Sequence, residues 1–247
     1  MWEMLWYNSP SALLGCSPKR FFLTMTDTHL PFKAFIFDLD GVLTDTAEYH
    51  YRAWKRLADE NHLPFTRDDN EQLRGVDRRE SLRRLLKGKE VPSETFEAWL
   101  TLKNDYYRVY LKEITPADLL PGVVQFLAES QEQGIKLGVG SASKNAREVL
   151  RNLGIAALMD TIGDGYTVYR AKPEPDLFVW VAGRLDATPA QCVVFEDSEA
   201  GISAANLAGM KTVGLGPANR VGHATIVFPS MDGVRVVDVM TQLSAKS

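Results

Sequence analysis

The sequence predicts an α/β fold, a doubly wound parallel sheet interrupted after its first strand by an all-helical cap. Three observations predict it. From about Val123 onward, strand-like and helix-like segments alternate, the pattern of parallel strands joined by helical crossovers. Short runs such as KAFIFDLD are apolar on successive residues, as suits strands buried on both faces. Between about Thr46 and Pro116 no strand pattern of comparable quality appears, so that stretch reads as a helical insert.

Taken in order, residues 1–31 form an aromatic, irregular N-terminal extension. They are expected to be a disordered tail or a start-site artefact, with Met25 just ahead of the first strand. KAFIFDLD is the first strand. TAEYHYRAWKRLADENHL places Tyr49, Ala53, Trp54, Leu57 and Ala58 near one helix face. DRRESLRRLLKG and SETFEAWLTLKNDYYRVYLKEI continue the helical insert. The core resumes with the helix VVQFLAESQEQG, ending near Gly134, and the strand IKLGVG, which gives way to the small-residue loop SAS. The helix NAREVLRNLGI and a short strand in LMDTIGDG follow. Next come the helix DLFVWVAGRLDA, the strand QCVVFEDS, the small-residue helix EAGISAANLAGM and the strand KTVGLG. The expected division is a core of residues 32–45 and 117–247 around a cap of residues 46–116.

The 247 residues suffice for such a core, and 45% hydrophobic with 24% charged residues is an ordinary globular balance. A formal net charge of -4 argues against nucleic acid or an anionic membrane as the main partner. It leaves room for a small phosphorylated substrate in a locally positive pocket. No apolar run approaches the roughly 18 residues of a membrane span. Cys16 and Cys192 are far apart, without a metal-ligand neighbour, and read as reduced thiols of a cytoplasmic protein.

The chemistry gathers where ligands bind in such sheets, at the carboxyl ends of the strands. Asp38 and Asp40 end the first strand, Glu196 and Asp197 end QCVVFEDS, Ser141 to Ser143 follow IKLGVG, and Lys172 lies in the same layer. Four carboxylates at one edge repel each other and call for a cation, and an oxygen-only donor set suits Mg²⁺. Mg²⁺ favours phosphate oxygens. One carboxylate can then attack phosphorus to form an aspartyl phosphate, while another serves as general acid and base. Lys172 would supply positive charge to the transferring phosphoryl group and Ser141 a hydroxyl hydrogen bond. Singly, each feature has an ordinary explanation: a solvated turn, a surface lysine, a helix cap, an acidic helix start. Their joint order along one sheet does not.

DLDGVLTD, SAS, KPEPD and the acidic pair in EDSEAGISAANLAGM together resemble the haloacid dehalogenase superfamily, over about residues 32–230. The resemblance implies a Rossmann-like core with a small helical cap, Asp38 as the nucleophile and Asp40 as the general acid/base. It implies metal binding by Asp38, the backbone carbonyl of Asp40, and Asp197, with Glu196 at or beside the metal. DLDGVLTDTAEYHYRAWK, QLRGVDRRESL, LKNDYY, SASKN and KPEPDLF further resemble the β-phosphoglucomutase family. That family interconverts β-D-glucose 1-phosphate and D-glucose 6-phosphate through β-glucose 1,6-bisphosphate.

A mutase needs a second phosphate site, and arginine grips phosphate bidentately. By the resemblance, Ser141, Ala142 (through its backbone) and Lys172 bind the transferring phosphate. Arg78, Ser143, Lys144 and Asn145 bind the other, with Arg74 and Trp54 adding substrate contacts. Thr46 matches the hinge, and His50 and Lys103 couple cap closure to Asp40. Arg74 stands where the family usually carries Lys. The expected protein is a cytoplasmic monomer that takes a small sugar phosphate. A sugar-phosphate phosphatase of the same fold is the alternative, and a non-catalytic phosphosugar-binding regulator fits less well with an intact Asp38/Asp40 pair.

Overall fold

The computed structural model describes residues 32–246, so the expectations for residues 1–31, including Cys16, fall outside it. The first strand, β1 (Ala34–Phe37), is buried on both faces, as its unbroken apolar run requires. Four helices follow as an insert: α1 (Ala47–Glu60), α2 (Arg67–Glu71), α3 (Arg78–Leu86) and α4 (Ser93–Leu111). They pack around an apolar cluster of their own, built on Trp54, Leu57, Leu63, Phe65, Leu82 and Leu85. Asp77 starts α3 by accepting hydrogen bonds from the backbone N–H groups of Arg79 and Glu80, satisfying two of the helix's orphan donors.

The chain then runs through α5 (Val123–Glu132), β2 (Lys136–Gly140), α6 (Ala146–Asn152), β3 (Thr161–Gly163) and α7 (Asp176–Arg184). It continues through β4 (Cys192–Glu196), α8 (Glu199–Leu207) and β5 (Lys211–Leu215). Beyond the last strand read from sequence lie α9 (Ala218–Val221), β6 (Ile226–Phe228) and α10 (Val236–Ser244). The six strands are all parallel, in the order β3-β2-β1-β4-β5-β6. The doubly wound α/β expectation is met.

Both faces of the sheet are covered. On one, Phe35, Phe37 and Phe195 pack with Phe126 of α5, with the Phe37 and Phe195 ring centroids 4.8 Å apart. On the other, Ile36 and Val194 pack with Phe178 and Val181 of α7 and Ala204 of α8. Cys192 is buried in this second cluster, and burial pushes its thiol up to about 11. Burial thus disfavours its thiolate, the reactive form.

The sheet order reverses at β1, whose neighbours are β2 and β4, and ligands bind at such a switch. The segments entering and leaving the four helices are tied together beside it. The Thr44 hydroxyl donates to the Asp118 carbonyl at 2.7 Å, and the Leu120 N–H donates to the Leu43 carbonyl at 3.0 Å.

Candidate active site

Parallel strands end at one edge, so the acids after β1 and β4 and the serine loop after β2 are brought together by topology alone. Asp38 and Glu196 are buried there, and Lys172, from the segment between β3 and α7, lies between them. Its ammonium Nζ donates to Asp38 Oδ1 and to Glu196 Oε1, each at 2.6 Å. Burial drives Asp38 well above the usual carboxylate range; Lys172 opposes the rise, and Glu196 and Asp40 add to it. Burial alone would lower the Lys172 ammonium, but the charges of Asp38 and Glu196 outweigh it and hold the group above its ordinary value.

Glu196 is fixed a second time. Its Oε2 accepts from the Ser198 backbone N–H at 2.7 Å and from the Ser198 hydroxyl at 2.9 Å. Ser198 also caps α8, accepting from the Gly201 N–H at 3.1 Å. The first turn of α8 runs so close to the Glu196 carboxylate that a Cβ on Gly201 would overlap it. Both Glu196 oxygens therefore have protein partners, and the residue holds Lys172 in place.

Asp197 is buried against the turn after Asp40. Gly41 has φ +81°, and a Cβ there would run into the Asp197 carboxylate. Arg74, between α2 and α3, reaches Asp197 Oδ2 at 3.2 Å, and Arg220 of α9 approaches it at 3.7 Å. Glu71 pairs with Arg74 at 2.7 Å and meets Arg220 at 3.9 Å. Burial and the neighbouring Glu196 push Asp197 up to about 7 against the pull of the two arginines.

This donor set fits a hard divalent cation. The available ligands are all oxygens, Asp38, Glu196 and Asp197 are buried, and the carboxylates crowded at this edge call for positive charge. Among the described residues no three His, Cys, Asp or Glu side chains converge into a ready-made cage. An ion here would be held by few side chains and complete its shell with backbone, water or substrate oxygens, which is the habit of Mg²⁺.

Asp40 connects the edge to the helices. The Thr46 hydroxyl donates to Asp40 Oδ1, and the Tyr107 hydroxyl donates to Thr46 Oγ1 at 3.3 Å. Burial raises Asp40 above the usual carboxylate range, and the Thr46 bond works against it. His50 Nε2 stands 4.0 Å from Asp40 Oδ2, and its Nδ1 is 2.9 Å from the buried Lys103 ammonium. Burial, and then Arg78, hold the Lys103 amine well below its ordinary value against the pull of Asp40. While it carries its proton it can only donate, so Nδ1 then accepts and the ring proton sits on Nε2, toward Asp40. The Lys103 ammonium also lies 4.8 Å from the Trp54 ring and 4.6 Å from that of Tyr107.

Burial, then Lys103 and Arg78, hold His50 well below its ordinary 6.5. The unfolded chain therefore binds a proton at His50 near 6.5 that the folded chain refuses. The stability this group contributes is complete above that value and is lost as pH falls through it. Between about pH 7.5 and 5, wild type is expected to lose stability relative to His50→Gln in paired thermal melts. A constant difference across that range would show that His50 titrates normally.

The loop after β2 is organised by its own backbone. Ser141 N–H donates to the Gly163 carbonyl at 3.0 Å, and Ser143 N–H donates to the Ser141 hydroxyl at 3.1 Å. Asn145 N–H donates to the Ser143 hydroxyl at 3.2 Å, and the Asn145 side-chain amide donates to Asn104 of α4 at 3.0 Å. A cavity of about 80 Å³ joins Asp38, Asp40, His50, Trp54, Arg74 and Arg78 to Ser141–Lys144. Burial lowers the Arg78 guanidinium from its ordinary value. Thus every site residue singled out in the sequence lines this cavity or is joined to its lining by one or two of the bonds just described.

Residues 32–209 match the model of the haloacid dehalogenase-like hydrolases. The β-phosphoglucomutase of Bacillus subtilis (strain 168) is 44% identical over 199 residues, 79% of this chain and 88% of that protein. The chain belongs to the haloacid dehalogenase-like family, on its β-phosphoglucomutase branch. The crystal structure of β-phosphoglucomutase from Clostridium difficile superposes with a TM-score of 0.84 at 38% identity, covering 87% of this chain and 98% of that one. A phosphorylated carbohydrates phosphatase of Thermotoga maritima is 34% identical, over 73% of this chain and 83% of its own.

Within this haloacid dehalogenase-like site, several contributors carry no sequence signal of their own. Tyr107, inside LKNDYY, closes the Thr46 contact from α4. Ser198 looks like a plain helix cap but also holds Glu196. Arg220 sits outside every motif, in a four-residue helix, and nothing in the sequence distinguishes it from a surface arginine. No helix among the described residues is long and apolar enough to cross a membrane.

Proposed function

We propose that this protein is a phosphomutase that interconverts β-D-glucose 1-phosphate and D-glucose 6-phosphate, passing through an aspartyl phosphate on Asp38 and β-glucose 1,6-bisphosphate. The observation that carries the reading is the pairing of two differently held carboxylates in one cavity. Asp38 is fixed by Lys172 at the sheet edge, while Asp40 is held by Thr46 at the start of α1. In this reading one makes a bond and the other moves with the helices.

In this reading, Asp38 attacks phosphorus through Oδ2, its Oδ1 being held by Lys172. Asp40, whose carboxyl burial shifts above the usual range, gives a proton to the departing sugar oxygen and takes one from the entering hydroxyl. Ser141, the Ala142 backbone and Lys172 hold the transferring phosphate. Arg78, Ser143, Lys144 and Asn145 hold the other, and Arg74 and Trp54 line the sugar space. Mg²⁺, bound by Asp38, Asp197 and the Asp40 carbonyl with Glu196 beside them, would neutralise charge at the phosphoryl oxygens.

Residues 46–116 act as the cap, Thr46 as its hinge. The line from Lys103 through His50 to Asp40 makes the position of the acid depend on the position of α4. Water then finds the aspartyl phosphate without its general base in place, which favours transfer to sugar over hydrolysis. In this reading the protein works as a cytoplasmic monomer on a small sugar phosphate.

A phosphorus NMR time course tests it, with β-glucose 1-phosphate, Mg²⁺ and a trace of β-glucose 1,6-bisphosphate. Accumulation of glucose 6-phosphate with little inorganic phosphate is expected. Inorganic phosphate growing in step with substrate loss would establish a phosphatase instead. Asp40→Asn is expected to lower kcat by about 10² to 10⁴ while leaving the substrate Kd within a few-fold. Wild-type turnover in that variant would remove the acid/base role.

A further inference from the structure

The inner cavity opens onto a much larger outer groove of about 690 Å³, and the two share Arg78, Ser141, Ala142 and Lys144. Ser141 lines both spaces and Lys172 the outer one, so a monosaccharide phosphate held between them sits where the two meet and leaves most of the groove's volume unfilled. One wall is the loop after β3, which carries Tyr166 and Tyr169. Their exposures, 72% and 102%, are far above what packing would leave for a tyrosine. Tyr166 has the Lys144 ammonium 4.9 Å from its ring centre; Tyr169 has no ring or cation partner among the described residues. The stability of the chain gives no reason for these two rings to be where they are.

The opposite wall comes from α3 and α4 and is polar: Arg79, Arg83, Glu97, Thr101 and Asn104. Arg79 and Glu97 are paired at 2.6 Å, and the Asn104 carbonyl oxygen is fixed by Asn145, with its own amide N–H groups unspent among the described residues. Asp77, Glu97 and Asp164 line the groove together with Arg78, Arg79, Arg83, Lys144 and Lys172, so charge of both signs is interspersed along it. Flat aromatic faces opposite fixed donors and acceptors, with charge of both signs, suit a neutral polyhydroxylated ring.

We infer that the outer groove is a subsite for a second hexose ring, so that the protein binds phosphorylated disaccharides with the phosphate-bearing ring inside and the other ring against Tyr166 and Tyr169. The inference rests on the proposed placement of a sugar phosphate at Ser141 and Lys172. A disaccharide so bound cannot turn end for end in the inner cavity. It therefore acts as a competitive ligand of the mutase and not as its substrate.

Calorimetric titration with trehalose 6-phosphate, beside glucose 6-phosphate, on the wild-type protein and a Tyr166→Ser/Tyr169→Ser double variant tests this. The double variant is expected to bind trehalose 6-phosphate about tenfold more weakly, with its Kd for glucose 6-phosphate within twofold and its turnover of β-glucose 1-phosphate unchanged. Trehalose 6-phosphate binding that ignores both tyrosines, or no binding at all, would overturn the subsite. If β-glucose 1-phosphate is not turned over but the tyrosine dependence is seen, the subsite stands and the mutase reading falls. If it is turned over without tyrosine dependence, the mutase reading stands and the subsite falls.

Discussion

Asp38→Asn is expected to abolish turnover, lowering kcat by about four orders of magnitude, and to leave no base-labile phosphate on the chain after incubation with β-glucose 1,6-bisphosphate. Asparagine keeps the shape of the side chain, so the buried edge stays filled. It also leaves Lys172 its second partner, Glu196, at 2.6 Å, and the ammonium remains paired. What disappears is the oxygen proposed to form the covalent bond to phosphorus. The variant should therefore fold, bind glucose 6-phosphate and do nothing with it. Mass spectrometry of intact wild type and variant after rapid quenching checks the covalent step directly. A phosphorylated variant would mean that another residue carries the phosphate.

The second large effect is expected from Lys172→Met, and it concerns stability as much as rate. The Lys172 side chain is fully buried and has carboxylates on two sides. Methionine fills the space but leaves Asp38 and Glu196 facing each other without a cation. Removing one member of a buried ion pair costs about 3–5 kcal/mol, because the other is left uncompensated. The denaturant midpoint should fall accordingly, and turnover by about 10² to 10³ through loss of phosphoryl charge stabilisation.

Adding Glu196→Gln in the same background removes one of the repelling charges and is expected to return part of the stability but none of the activity. Such non-additivity between two residues in contact is the signature of direct coupling. Equal midpoints in the single and double variants would show that Lys172 is a packing residue and no more.

The site was legible in the sequence to the extent that strand ends carry its chemistry. Asp38 and Asp40 follow the apolar strand β1, Glu196 ends β4 and Asp197 follows it, and parallel topology then places them at one edge. Ser141 and Lys172 were readable for the same reason. His50, Arg78 and Lys103 were not readable from pattern, since each sits on a helix where a charged or half-buried residue is ordinary. Only resemblance to a known family singled them out. Arg220 and Tyr107 were found by neither route, because what brings them to the site is packing between segments far apart in sequence.

The sequence by itself determined the class of fold, the helical insert after the first strand and the carboxylate chemistry at the sheet edge. Apolar runs, helical periodicity and acids at strand ends are local signals that survive without knowledge of the partners. It did not disclose the three-residue strand β6 or the closing helix α10, whose apolar stretches are too short or too ordinary to declare a period. Nor did it disclose which oxygen each cation would hold. The tertiary structure decided that Glu196 spends both oxygens on Lys172 and Ser198, that Asp197 answers to Arg74 and Arg220, and that Asp40 is tied to the helices through Thr46. Those choices are made by desolvation. Once the edge is buried, every charge must find a partner within hydrogen-bond reach, and only the packed arrangement of distant segments says which partner is there.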